Sequence, residues 1–359
     1  PAEVIAHHLH KAGDLDRAVT YWHLAANKAI SRSAMREAHT HISQATQVLV
    51  TLPPTKERRR LLLDLLIAKI TPILAVESYS SPALELLYQQ AIPLFEALED
   101  TPNIFPLFYA RWAFLLTSGR VTLSLDQGRE LIEVARRQAL PLMEAVGNRI
   151  TGVSLVWNGA PSVGTRHLDA ALQVYDAQTS DEIGFRFGQD GLAATQVYQA
   201  IGLCSLGQLK RGVACAAAAL DRVDQLGHAL TTAYTHGHIG LLYAALGDSQ
   251  GLARCIHANE RALAQEPIPV SATAGLRGIA ALFEGHPQTA CELLQRAIDE
   301  HRAIGFHLWH ALWCAYLASS QLALGCGDKA MTAVEQGLEH VENDTGRWCE
   351  AELLRIRVA

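Results

Sequence analysis

The densest set of side chains able to grip a ligand lies in Phe185-Arg186-Phe187-Gly188-Gln189-Asp190. A guanidinium binds a carboxylate or phosphate through two parallel hydrogen bonds. Arg186 could hold such a group while Gln189 and Asp190 fix its orientation. The competing reading is structural and is the favoured one: Phe185 and Phe187 fill a gap, and Asp190 caps a helix that starts near Gly191. A second set is Trp309, His310 and Trp313, which could line a ligand groove. As rings one helical turn apart, Trp309 and Trp313 read more readily as core. Ligand or partner contact is therefore sought at Arg186, Gln189, Asp190, Trp309 and His310.

Sixteen histidines invite a metal reading. His7, His8 and His10, or His307 with His310, could share a helix face. Helical metal pairs usually recruit a carboxylate or thiolate at matching spacing. Asp14 and Asp16 lie near the first cluster but across a turn. The histidines are read as structural or surface residues, and no metal or cofactor is assigned. His236 and His238 stand two apart, so a helix points them to different sides. Arg58-Arg59-Arg60 reads as a solvated helix start. No G-x-x-x-x-G-K-[ST], G-x-S-x-G or H-E-x-x-H motif occurs. The seven cysteines form no C-x-x-C and sit in apolar helical contexts, as reduced thiols of a cytoplasmic protein do.

These candidates are positioned by a repeating helical pattern. Leu-Gly pairs at Leu206-Gly207 and Leu246-Gly247 stand where one helix must stop and the next turn back. The turn glycines Gly119, Gly159, Gly207, Gly247, Gly285 and Gly325 are separated by 40, 48, 40, 38 and 40 residues. Gly13 opens the series. Such a period marks stacked units, none of which can bury its apolar face alone. Seven positions before each turn glycine stand Ala6, Trp112, Gly152, Ala200, Gly240, Gly278 and Ala318. Twelve positions after it stand Ala25, Leu131, Ala171, Ala219, Asn259, Ala297 and Gly337. Small residues let helix axes approach. The first column is expected to face the partner helix of its own hairpin, and the second the next unit.

The pattern resembles the tetratricopeptide repeat (TPR). Gly240, Tyr243 and Gly247-Asp248 match its first helix and turn. Ala290 and Ala297, like Ala18 and Ala25, match its second helix. The period departs from the family's, near 40 rather than about 34 residues, and Leu252 and Asn259 replace alanines. The expected fold is all-α, a degenerate TPR-like α-solenoid: a right-handed superhelix of antiparallel helix pairs. Its expected parts are a helical block over 1–52, irregular repeats over 53–175, an ordered loop over 176–190, and regular repeats with a capping helix over 191–359. One helix is expected over 55–76, and Pro93 should kink or split the helix that follows Ser81-Pro82. Asp14 is expected to cap the second helix.

The chain has 359 residues, is 49% apolar and carries a net charge of −6. That suffices for a core and leaves no global basic footprint for nucleic acid. No apolar run is long enough to cross a membrane.

A narrower resemblance lies in the order of features. Ile5-Ala6-His7-His8-Leu9, Ala12-Gly13, Tyr21-Trp22, Arg32-Ser33-Ala34 and Glu37-Ala38 open the chain. Leu52-Pro53 with Glu57-Arg58 follow, then Phe187-Gly188-Gln189-Asp190. This order is similar to the C-terminal helical-repeat region of bacterial STAND-class signalling ATPases, often linked to a nucleotidyl cyclase or a DNA-binding regulator. The resemblance implies a sensor arm of a longer protein, with the ATPase and output domain upstream. Its partner would be a protein, a peptide or a small effector held in the concave groove. The rivals are a groove-based hydrolase using histidine and aspartate, and a purely structural oligomerisation arm.

Overall fold

Every turn glycine of the repeat pattern reverses the chain in the same way. Gly13, Gly119, Gly159, Gly207, Gly247, Gly285 and Gly325 all take positive φ, between 69° and 81°. At each, the glycine N–H donates to the carbonyl three residues back and the next N–H to the carbonyl five back. This is the Schellman closure of a helix end, and an L side chain at the glycine position would be strained. Ala139 (φ 53°) occupies the same position after another helix, and Leu140 N–H donates to Ala135 O at 3.0 Å.

The computed structural model describes residues 1–32, 34–98, 104–175, 189–265, 272–344 and 346–358, and every regular element among them is a helix. The helices are α1 (Ala2–Lys11), α2 (Leu15–Ser31), α3 (Met35–Leu49), α4 (Lys56–Ala68), α5 (Ile70–Val76), α6 (Pro82–Glu96), α7 (Phe105–Thr117), α8 (Val121–Arg137), α9 (Pro141–Trp157) and α10 (Pro161–Leu172). They continue with α11 (Gly191–Ser205), α12 (Leu209–Leu226), α13 (Ala229–Ala245), α14 (Ser249–Gln265), α15 (Thr273–Phe283), α16 (Pro287–Ala303), α17 (His310–Ala323), α18 (Gly327–Glu342) and α19 (Glu350–Arg357). Successive antiparallel pairs make this an all-α, TPR-like α-solenoid. Packing divides it into two compact units, Pro1–Phe114 and Leu115–Ala359, a boundary that the sequence pattern does not mark.

In the first unit, Ala6, Val19, Trp22, Ala26, Ile42, Ala45 and Leu65 share one core. Trp22 stacks on His41 with ring centroids 5.5 Å apart. The helix expected over 55–76 is broken at Lys69 into α4 and α5. Pro72 is the cause: it has no N–H to give the carbonyl of Ala68. Pro93, by contrast, sits near the end of α6 without splitting it. Ser81 caps α6, its hydroxyl accepting from Ala83 N–H. Asp14 makes no cap bond and instead pairs with Arg17 at 3.1 Å.

In the second unit the small-residue columns mark close approaches. A Cβ on Gly152 would lie 2.7 Å from Leu168 in the same hairpin, and one on Gly278 2.7 Å from Leu294. Ala200 and Ala318 are fully buried. Gly240 departs from its column: its nearest neighbour is Leu276 of the next unit. On the other column, Gly337 lies under Leu353 of α19, and Ala297 is buried. Asn259 is buried too, donating to Ala233 O at 2.8 Å and accepting from the Thr273 hydroxyl at 2.9 Å.

Long buried stretches run along four helices of the second unit. Unbroken buried runs cover Arg149–Trp157 of α9, Val197–Leu203 of α11, Thr235–Ala244 of α13, and Leu308–Ala315 at the start of α17. Each run spans about two turns or more, so no face of those segments meets solvent. Those segments therefore offer no open groove wall. His236 and His238, on different sides of α13, are both buried for this reason.

The second unit also closes on itself. Asp344 follows α18 and lies against the start of α8. Its carbonyl accepts from Val121 N–H at 3.1 Å, and its carboxylate from Thr122 N–H at 2.9 Å and the Thr122 hydroxyl at 2.7 Å. Residue Arg120, which precedes α8, gives that helix no side-chain cap of its own. Arg347 N–H donates to Trp157 O at the end of α9, at 2.7 Å. Trp348 stacks edge-on against Trp157 and donates to the Ser205 hydroxyl. His307 and Leu308 N–H both donate to Thr117 O, the last residue of α7. Helix ends leave orphan N–H and C=O groups. Here late segments satisfy those of early helices.

Candidate functional site

The residues singled out from the sequence fall into two places. Gln189 and Asp190 are buried at the start of α11, and Arg186 lies outside the described residues. Asp190 has non-helical backbone and its Oδ1 accepts from Ala193 N–H at 2.7 Å, which caps α11. Its Oδ2 takes two bonds from Arg222 of α12, at 2.8 and 3.2 Å. Thr231 of α13 lies on the same aspartate, accepting from its N–H, and contacts His228 Nδ1 at 2.7 Å. Both charges are largely out of solvent, so removing either one would strand the other. Asp190 thus fastens α11, α12 and α13 together, and its carboxylate is fully engaged.

Trp309 and His310 sit where α16 hands over to α17. Gly305 ends α16 with the same Schellman closure, and residues 306–309 turn the chain into α17. Trp309 is 5% exposed. Its ring centroid lies 4.7 Å from Phe306, 5.2 Å from His238, 5.5 Å from His301 and 6.0 Å from Trp313. Trp313 donates its indole N–H to His301 Nδ1 at 3.1 Å. Gly275 of α15 makes room for this indole, since a Cβ there would lie 2.5 Å from it. Tyr198 of α11 and Tyr234 of α13 complete the ring cluster around His238. This is core packing, and Trp309 offers no open groove wall. Burial holds His238 neutral, its pKa down to about 4.

His310 has a different surround. It is fully buried, its Nδ1 lies 3.3 Å from His307 Nδ1, and its Nε2 has no hydrogen-bond partner. His340 of α18 brings a third imidazole, 4.8 Å from His310 between ring centroids and stacked at 6.2 Å on His307. One ring nitrogen from each of the three lies within 4.8 Å of the others. Burial first, and then the neighbouring imidazoles and Arg302, lower the pKa of His310 to about 3. Burial likewise lowers those of His307 and His340. His7, His8 and His10 are exposed and do not converge in this way.

His340 is the residue that spacing within one helix does not reveal. The signal lies in the hairpin instead. His310 and His340 are equidistant from the turn glycine Gly325, and an antiparallel hairpin brings equidistant positions side by side.

Open grooves on the surface of the described residues include two of similar size. One, of about 500 Å³, lies in the first unit over α3, α4 and α6, with Leu62 and Leu66 beneath it and Gln47, Gln90 and Lys69 around it. Val50 at its edge is 61% exposed. Lys69 is half-buried there, and burial lowers its pKa against the opposing pull of Glu77. The other, of about 530 Å³, lies between the outer face of α16 and α17.

No family model matches the sequence, and no curated protein matches it either. Solved structures do. A Rap protein complexed with Competence and Sporulation Factor superposes with a TM-score of 0.59 at 12% identity, covering 95% of this chain and 97% of that one. The apo form of RapI gives 0.49 at 10% identity, over 95% and 96% of the two chains. The apo form of the quorum sensor NprR from B. thuringiensis gives 0.47 at 10% identity, over 93% and 99%. The first of these likenesses establishes a shared TPR-like repeat fold. No helix among the described residues is long and apolar enough to cross a membrane.

Proposed function

We propose that this chain is a partner-binding module that works by recognition and not by catalysis. The observation that carries the proposal is the fold, a TPR-like array of the kind seen in a Rap protein holding Competence and Sporulation Factor. The buried stretches of α9, α11, α13 and α17 offer no open wall, and we assign the partner to the groove of the first unit. Leu62 and Leu66 offer an apolar floor, Gln47 and Gln90 can meet a peptide backbone, and Lys69 can meet a carboxylate. A protein or peptide segment with one apolar anchor and one acidic group suits this groove.

The experiment is selection of a displayed peptide library on the full chain, followed by thermal unfolding with the enriched peptides. A peptide at a hundred times its Kd should stabilise the protein by about 2.7 kcal/mol. Val50→Asp and Lys69→Glu should each weaken binding at least about tenfold. Failure to enrich any peptide, or equal binding by both variants, would overturn the assignment. Similarity of the opening segment to STAND-class repeat regions supports a further step: this module passes the binding event to an ATPase or cyclase upstream. A reading frame upstream of Pro1 that encodes no nucleotide-binding domain would remove that step.

A further inference from the structure

We propose that His307, His310 and His340 form a binding site for a divalent transition-metal ion, of which zinc is the type. Two observations of geometry carry this. First, one nitrogen from each ring falls within 4.8 Å of the others. Second, two nitrogens bound at about 2.0–2.1 Å to a tetrahedral zinc stand about 3.3 Å apart. His307 Nδ1 and His310 Nδ1 are already 3.3 Å apart. His310 is fully buried, which fixes the position of its Nδ1.

The third ligand needs only a small movement. His340 and His307 are half-buried, so their rings can turn and the ion has a way in. His310 is held by the packed start of α17 and supplies the fixed point. Three imidazoles leave a fourth position for water, as in sites with three protein ligands. Imidazole sets without carboxylates favour zinc, copper or nickel over magnesium or calcium. Arg302 lies near enough to oppose a cation, but it is exposed and pairs with Asp299 at 3.6 Å, which screens it. Glu339 acts on His340 in the opposite sense.

The position gives the ion a structural consequence. His307 lies in the turn whose N–H groups hold Thr117 O, and His340 lies four residues before Asp344. An ion on these rings would tie the turn before α17 to the end of α18, and so brace two of the contacts that close the second unit.

The test is calorimetric titration of the full chain with zinc chloride, with melting temperature as a second readout. One zinc per chain is expected, with a rise in melting temperature. His340→Ala and, separately, His307→Gln should weaken it at least about 100-fold, more than the loss typical of outer-shell partners. A His7→Ala/His8→Ala/His10→Ala variant should keep it. Cobalt(II) bound to the unaltered protein should give the visible absorption of tetrahedral coordination. The proposal is overturned if the wild-type chain takes up no zinc. It also fails if either cluster variant binds as tightly as wild type, if the exposed-histidine variant loses the ion, or if cobalt shows only an octahedral spectrum.

Discussion

Asp344→Ala offers the sharpest check on how the second unit is held shut. The Asp344 carboxylate accepts from both the N–H and the hydroxyl of Thr122, 222 positions earlier in sequence. It therefore serves as the N-cap that α8 lacks locally. Losing an N-cap acceptor costs about 1 kcal/mol. Losing a negative charge at a helix N-terminus costs a further ~0.3–1 kcal/mol at an accessible site. The sum, about 1.5 kcal/mol, corresponds to roughly a tenfold increase in the population in which this contact is open. Hydrogen exchange read by mass spectrometry should show that increase in peptides covering residues 118–126 and 346–352. The α2–α3 hairpin should be unchanged. Asp344→Asn keeps an acceptor and tolerates the positive φ of 70°, so it should lose only about two- to fivefold. If Asp344→Ala left exchange at residues 118–126 as in wild type, the capping account of closure would be wrong.

Three further outcomes follow from local geometry. Ala139→Gly should stabilise the protein by about 0.5–1 kcal/mol, because a glycine adopts the φ of 53° without strain, and thermal unfolding will read it. Gly275→Ala should destabilise by about 1–3 kcal/mol, since its Cβ meets the buried Trp313 indole at 2.5 Å; this should appear as a fall in melting temperature of about 2–4 °C per kcal/mol. His238 titrates at 6.5 when unfolded and at about 4 when folded. Between those values the unfolded chain binds more protons, so stability should be full above pH 6.5 and fall toward pH 4, by up to about 3 kcal/mol. Urea midpoints measured across that range should slope less in His238→Phe, and an unchanged slope would show that another group is responsible.

The hairpins were legible in the sequence because a left-handed turn leaves a mark that few residues other than glycine can make. Gly207, Gly247, Gly285 and Gly325 state their backbone conformation by their identity. Close helix contacts at Gly152 and Gly278 were legible for a similar reason, since nothing larger fits. Pro72 was equally visible, yet an apolar run continuing past it hides the break at Lys69. The polar fastenings were less legible. Arg222 is one of many arginines, and only the fold shows that it reaches Asp190. Asn259 looks like a lapse in an alanine column until Ala233 O and the Thr273 hydroxyl are seen on either side. Closure was hidden, because Val121 and Thr117 take part through backbone atoms, which carry no sequence signal, and the side chains of Asp344 and Trp348 find partners more than a hundred positions away. The histidine cluster lies between these cases: His307 and His310 stand out as a pair, and His340 emerges only when α17 and α18 are folded about Gly325.

The distance of 222 positions between Thr122 and Asp344 also has a meaning in time. Chains emerge from the ribosome at about 5–20 residues per second, so α8 waits roughly 10–45 s for its cap. An open array can grow unit by unit, each new hairpin settling on the last. The second unit cannot be completed that way, because the start of α8 and the end of α9 lack these partners until Asp344 and Arg347 are made. The nascent second unit therefore lacks these closing contacts for that interval. A gain or loss of one hairpin, harmless to an open array, would move Asp344, Arg347 and Trp348 off their targets.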